Sequence, residues 1–211
     1  MSILTDIGEA LERGKRKQVT QLVQQALDEG IAPEQILTEG LLPGMDRVGV
    51  KFRNNEVFVP EVLVAARAMS AGTEVLKPLL AETGGVSKGK AVIGTVKGDL
   101  HDIGKNLVKM MIEGKGIEVI DLGVDVAPET FVQAAAENNA EIVCCSALLT
   151  TTMPVIGEVV EAFKAAGTRD KVKIRVGGAP VTPEFSDSVG ADCYTPDAAS
   201  AAIRAAELLS A

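Results

Sequence analysis

The chain has 211 residues, 46% of them hydrophobic, 24% charged and 3% aromatic, with a formal net charge of -8. That composition suits one large or two small globular domains that fold without staples, and no apolar run approaches the ~18–20 residues that a bilayer span requires. The acidic balance, the lack of a basic stripe, the absence of Trp and a single Tyr argue against a nucleic-acid partner.

The first stretch, MSILTDIGEALERGKRK, places its charges after a short amphipathic segment, so neither a signal peptide nor a membrane span is expected. Cys144, Cys145 and Cys193 stand in no metal-ligand or redox spacing. They are expected as buried thiols of a protein in the reducing cytoplasm.

The early part of the chain predicts helices only. Ile3, Leu4, Ile7 and Leu11 recur at helical spacing over residues 2–13, and Val19, Leu22, Val23, Ala26 and Leu27 make a second stripe that Gly30 stops. A third helix opens at Pro33, where a first-turn proline is tolerated, and Pro43 with Gly44 is expected to kink or divide it. A fourth runs over about residues 59–81 with Pro60 at its start. Four amphipathic helices are the material of a small bundle.

Residues 83–90, TGGVSKGK, lack periodicity and read as a linker. This divides a helical cap, residues 1–87, from a second domain, residues 88–211. Beyond the linker, β-rich runs at 91–96, 118–123, 141–148, 173–178 and, more weakly, 192–196 alternate with helices near 103–113, 129–138, 153–166, 183–189 and 198–210. Strict alternation predicts an α/β domain with a parallel sheet, right-handed crossovers and helices on both faces.

In such a sheet, ligands bind beyond the carboxyl ends of the strands at the topological switch point, between strands one and three in the flavodoxin-like order. That selects the loops Lys97–Asn106, Ser146–Thr152 and Gly177–Thr182. His101, the only histidine, lies in the first of these with Asp99 two residues before it. A metal-ligating imidazole commonly gives its second ring N–H to a carboxylate, a role Asp99 can fill. The alternative is that Asp99 or Asp102 caps the following helix and His101 is a solvated loop residue. A single imidazole cannot build a zinc site, so a metal held by His101 has to bring its other ligands with it, as cobalt in a corrin does. Neither a GxGxxG nor a GxxxxGK[ST] pattern occurs, which disfavours a dinucleotide fold or P-loop. A receiver-like regulator would require an acidic metal cluster at the end of strand one, and none is evident.

The segment Gly98-Asp99-Leu100-His101-Asp102-Ile103-Gly104-Lys105-Asn106 resembles the D-x-H-x-x-G signature of cobalamin-binding domains. Ser146-Ala147-Leu148 resembles their S-x-L, and Gly177-Gly178 their G-G, in the same order and at the strand ends already selected. Residues 58–69, FVPEVLVAARAM, look like the helical cap of methionine synthase and of the small corrinoid proteins of methyltransferase systems. The resemblance thus runs from about Leu11 to the end. It implies a flavodoxin-like domain preceded by a four-helix cap, holding cobalamin or a related corrinoid in a slot that takes up the displaced nucleotide tail. It further implies His101 as the lower ligand of cobalt, Asp99 as its hydrogen-bond partner, and Ser146, Leu148 and Thr150 beside the tail. Gly104 would permit close approach, Gly177 and Gly178 would leave room for the nucleotide, and Leu100, Asp102 and Ile103 belong to the same loop. Methionine synthase has a serine completing the Asp-His relay, where this chain has Thr152, a change that bears on relay geometry.

The cap residues Phe58, Val62, Leu63 and Met69 suit either bundle core or an apolar lid that shields cobalt from water and oxidants. The implied activity is carriage: cobalt(I) takes a methyl group from a donor on a substrate-specific methyltransferase, and methyl-cobalt(III) passes it to tetrahydrofolate or coenzyme M on a second one. A reductive activating protein would complete the set of partners. Alone the chain is expected to turn over little, having no catalytic residues of its own. Two other readings are a cobalamin-dependent regulator or sensor and the cobalamin subunit of an adenosylcobalamin mutase. The first commonly uses a Trp and a second His in its cap, which this chain lacks; the second normally lacks the helical cap.

Overall fold

The computed structural model describes residues 2–82 and 87–210. The chain divides into two compact units, Met1–Ser87 with Gly114–Gly116, and Lys88–Glu113 with Ile117–Ala211. Residues 83–86 of the expected linker lie outside the described residues.

The first unit is helical. Helices α1 (Ile3–Glu12) and α2 (Arg16–Asp28) bury the stripes read from the sequence: Ile7, Leu11, Val19 and Val23 are fully enclosed. The third helix begins at Pro33 as α3 (Pro33–Gln35), passes through a π-helical segment at Ile36–Leu41 and continues as α4 (Leu42–Arg53). The helix expected to kink or divide at Pro43 and Gly44 is thus divided one residue before the proline. Leu41 and Leu42 keep right-handed helical dihedrals (φ -73°, ψ -53° and φ -59°, ψ -46°), and the division lies in the hydrogen-bonding pattern. Pro43 has no N–H to offer the carbonyl of Glu39, and a wider turn keeps its ring clear of that carbonyl. Gly44 serves packing instead: a Cβ there would stand 2.9 Å from the Gly8 carbonyl oxygen on α1. Helix α5 (Val59–Glu82) completes the unit. At its start Glu61 accepts a hydrogen bond from the Phe58 N–H at 3.0 Å, which is half of a capping box.

The second unit is a five-stranded parallel sheet in the order β2-β1-β3-β4-β5. The strands are β1 (Lys90–Thr95), β2 (Glu118–Asp121), β3 (Ile142–Ser146), β4 (Lys173–Gly177) and β5 (Cys193–Tyr194). Helices α6 (Ile103–Glu113), α7 (Pro128–Asn138), α8 (Met153–Ala165), α9 (Pro183–Ser188) and α10 (Ala198–Ser210) connect and follow them. The flavodoxin-like architecture is as expected, with every element present and its ends shifted by few residues. Val92, Val143, Cys145, Ile174 and Val176 point to one face, where Phe131 of α7 and Val159, Val160 and Phe163 of α8 complete a dry core. Their alternates Ala91, Ile93, Cys144 and Arg175 point to the other face. There the small residues Ala201, Ala202 and Ala205 let α10 pack closely with α6.

Cys144 and Cys145 are buried, and burial pushes the Cys144 thiol up to about 11 and the Cys145 thiol higher still. Cys193 is only half-buried, against expectation, because β5 is a two-residue edge strand with no neighbour beyond it. No helix of the described residues is long and apolar enough to cross a membrane.

Candidate cofactor-binding site

Parallel pairing fixes where the three selected loops go. Thr95 aligns with Ser146, and Ser146 with Gly177, so the loops after β1, β3 and β4 leave the sheet side by side. Strand β1 lies beside β3, and the two send their following helices to opposite faces: α6 packs with α10 on one, and α8 packs with α7 on the other. The switch point therefore falls beside the loop that carries Asp99 and His101.

Asp99 has no exposed surface. Its Oδ1 accepts the His101 backbone N–H at 3.1 Å and lies 2.9 Å from the ring Nδ1. Its Oδ2 accepts the Leu148 N–H at 2.7 Å, the Leu149 N–H at 3.3 Å and the Thr152 hydroxyl at 2.8 Å. Burial by itself raises the Asp99 pKa, but the Leu148 N–H, the ring and backbone N–H of His101 and the Thr152 hydroxyl outweigh it. The carboxyl is held well below the usual carboxylate range. In a neutral imidazole, an ionised acceptor at that distance places the proton on Nδ1, so that Nε2 is the nitrogen left to bind a metal.

Asp99 thus receives no N–H from α6 and is not its cap. Asp102, just before α6, is exposed and accepts the Asn106 side-chain amide at 3.0 Å. The His101 side chain is 53% exposed, with Nε2 unpartnered among the described residues. Thr152 is buried; its hydroxyl reaches both Asp99 Oδ2 and the Leu149 carbonyl, at 2.9 Å, and its methyl packs toward Gly98.

Around His101 the surface is apolar, which is costly unless something covers it. Leu100 and Ile103 are 72% and 75% exposed, and Leu148 and Leu149 are also open. A Cβ at Gly104 would meet nothing within 4 Å, so the protein itself does not require glycine there. Gly178 is the opposite case: at φ +139°, a Cβ would fall 1.7 Å from the Ala147 carbonyl oxygen. Gly98 adopts φ +83°. Ser146 is half-buried at the end of β3, Thr150 is exposed in the following turn, and Gly177 is buried at the end of β4.

Sequence reasoning missed three supports of this loop. Thr95 donates its hydroxyl to the His101 carbonyl at 2.8 Å. Asp125, at φ 55°, accepts the Gly98 N–H at 2.7 Å and donates its own N–H to the Asp99 carbonyl at 3.0 Å. Lys105, with 2% of its side chain exposed, is paired with Asp121 at 2.5 Å and ties α6 to β2. The only sequence signal for Asp125 was its place after a glycine at the end of the neighbouring strand.

No group of three or more His, Cys, Asp or Glu among the described residues is placed to hold a metal ion. A metal at His101 therefore arrives with its own equatorial ligands. The free Nε2, the apolar rim and the open approach at Gly104 fit a broad macrocycle lying over the loop.

The fold, the switch-point histidine and its buried carboxylate define a cobalamin-binding protein. The B12 binding domain family matches residues 89–205, and a second B12 binding domain family matches residues 3–77. The chain belongs to these families, and within them to the corrinoid proteins of methyltransferase systems. It is 44% identical to dimethylamine corrinoid protein 1 of Methanosarcina acetivorans over 98% of this chain and 97% of that one. It resembles a chain in the crystal structure of the methanol:cobalamin methyltransferase complex from Methanosarcina barkeri, with a TM-score of 0.90 at 29% identity, covering 99% of this chain and 80% of the other. A cobalamin-binding protein from Desulfitobacterium hafniense matches with a TM-score of 0.79 at 32% identity, over 97% of this chain and 98% of the other.

Proposed function

We propose that this chain carries a methyl group on a protein-held corrinoid from a substrate-specific methyltransferase to a second methyltransferase, which passes it to tetrahydrofolate or coenzyme M. The observation that carries the reading is the Asp99–His101 pair: Nδ1 is 2.9 Å from a fully buried carboxylate, and Nε2 has no partner among the described residues. A cobalt corrinoid held there would supply the bond chemistry of methyl transfer.

The protein's own part is to present and shield. His101 would hold the cobalt through Nε2, while Asp99 holds the proton on Nδ1 and Thr152 steadies Asp99 at its other oxygen. Leu100, Asp102, Ile103 and Gly104 would contact the macrocycle, and Ser146, Leu148, Thr150, Gly177 and Gly178 would border the nucleotide tail. Residues 1–87 act as the cap and 88–211 as the binding domain. Relatives named for dimethylamine and a complex named for methanol share this architecture, which supports assigning donor choice to the partner methyltransferase. A reductive activating protein would complete the set of partners. Free thiols on β3 and β5 support a reducing, cytoplasmic setting.

The test is to add hydroxocobalamin to apo-protein, remove the excess, and compare the visible spectrum and retained cobalt of wild type and His101→Ala. Retained corrinoid with a histidine-ligated spectrum in the wild type, lost in the variant, is expected. A folded wild type that retains no corrinoid would refute the reading.

A further inference from the structure

Arg175 carries a positive charge into the α/β domain and meets no carboxylate there. It is 4% exposed on β4, and no acidic side chain pairs with it among the described residues. Its Nε donates to the Thr195 hydroxyl oxygen at 2.9 Å, and Nη2 donates to the same oxygen. Thr195 is itself buried, and those two bonds use both of its lone pairs. The other polar neighbours are the thiols of Cys144 and Cys193, the residues aligned with Arg175 on β3 and β5. A protonated thiol is a weak acceptor. A buried cation satisfied only by a hydroxyl and thiols is costly, and replacing such a group by an apolar one is often neutral or stabilising.

The position of the guanidinium indicates what it serves. The side chain folds toward the carboxyl end of β4: a Cβ on Gly177 would lie 3.0 Å from Nη2 and 3.5 Å from Nη1. Gly177 is aligned with Ser146, and Thr95 with Ser146, so Arg175 shares one face of the sheet with Thr95, Ser146 and Gly177. It sits two residues, roughly 7 Å, further in than the strand end.

We propose that Arg175 reads the lower base of the corrinoid nucleotide, donating to a hydrogen-bond acceptor on its outer edge. The inference rests on the corrinoid reading above. A tail tethered to the macrocycle through its phosphate and entering from the strand ends brings its base, the distal group, deepest. Hydroxybenzimidazole and adenine carry an acceptor at that edge, whereas dimethylbenzimidazole presents only methyl groups and leaves the guanidinium unsatisfied. Arg175 is thus a specificity-determining residue for the form of the cofactor and takes no part in the methyl transfer.

The test is spectral titration of apo-protein with four corrinoids: cobinamide, which lacks the nucleotide, and the cobamides of dimethylbenzimidazole, hydroxybenzimidazole and adenine. The wild type is expected to bind the last two at least about tenfold tighter than the dimethylbenzimidazole form, the size of one hydrogen bond to a charged donor. Arg175→Met is expected to erase that preference and leave cobinamide binding unchanged. Arg175→Met/Thr195→Val also removes the hydroxyl that would lose its partner, and the wild-type preference needs no variant at all. Equal affinity of the wild type for all three cobamides overturns the proposal. So does an equal loss for all three in the variants, because the acceptor is then the shared phosphodiester. Failure of folded wild type to bind any of the four, cobinamide included, strikes the corrinoid reading and this inference with it.

Discussion

Replacing Asp99 by Asn keeps the shape of the side chain and changes one oxygen to an NH2 group, so its effect can be worked out bond by bond. With the amide oxygen toward His101, the NH2 faces the Leu148 N–H, now donor against donor across what was a 2.7 Å bond, and the Leu149 N–H as well. The Thr152 hydroxyl can adapt, since the Leu149 carbonyl 2.9 Å away can take its proton. With the amide reversed, the conflict moves to the His101 backbone N–H, and the ring can relieve its own only by shifting its proton to Nε2, which removes the lone pair. Either orientation loses at least one charge-assisted bond and strands a buried donor, together about 3 kcal/mol. At roughly 4 °C per kcal/mol for a domain of this size, the apo-protein should melt about 12 °C lower. Thermal unfolding followed by circular dichroism checks this, and corrinoid retention should fall in parallel. A melting temperature within about 2 °C of wild type would refute the view that Asp99 is an ionised anchor of both loops.

The same carboxylate makes stability depend on pH. Its folded-state pKa is depressed, so its contribution is complete above the unfolded value of about 3.9 and is lost as pH falls toward the folded one. Urea unfolding at about pH 6 and about pH 3 should therefore show a larger loss for wild type than for Asp99→Asn, other carboxylates being common to both. Gly104→Ala, entering open space, should leave the apo-protein's melting temperature unchanged while weakening corrinoid binding measured by spectral titration. Gly178→Ala must push a Cβ through the Ala147 carbonyl and should cost several kcal/mol, seen as a collapse of soluble, cooperatively folding protein. Asp121→Ala leaves the buried Lys105 ammonium without its carboxylate and should destabilise by about 3–5 kcal/mol in denaturant titration, most of it recovered in Asp121→Ala/Lys105→Met.

Much of this architecture was legible because it rests on local signals. The stripe of Ile7 and Leu11, the stop at Gly30 and the opening at Pro33 are written in neighbouring residues, as is the alternation of short β-rich runs with helices. Pro43 lies where its helix divides, as read, but the π-helical turn before it was not legible in the residues, and the need for Gly44 comes from Gly8 on another helix. Cys193 was misjudged because its exposure depends on β5 being a short edge strand. The cap residues resolved individually: Val62 and Met69 are buried, Leu63 is half-buried and Phe58 is 64% exposed.

By itself, then, the sequence determined the α/β order, the helical unit before it, the strand ends where a ligand would sit, and the D-x-H pair, since periodicity and short motifs act over a few residues. Only the tertiary structure decided that Asp99 is fully buried between two loops, that residues 49 to 53 positions away supply three of its hydrogen bonds, and that Arg175 lies uncompensated beneath Gly177. Those facts depend on strand order and register, which bring distant segments together through contacts that no local stretch of residues encodes.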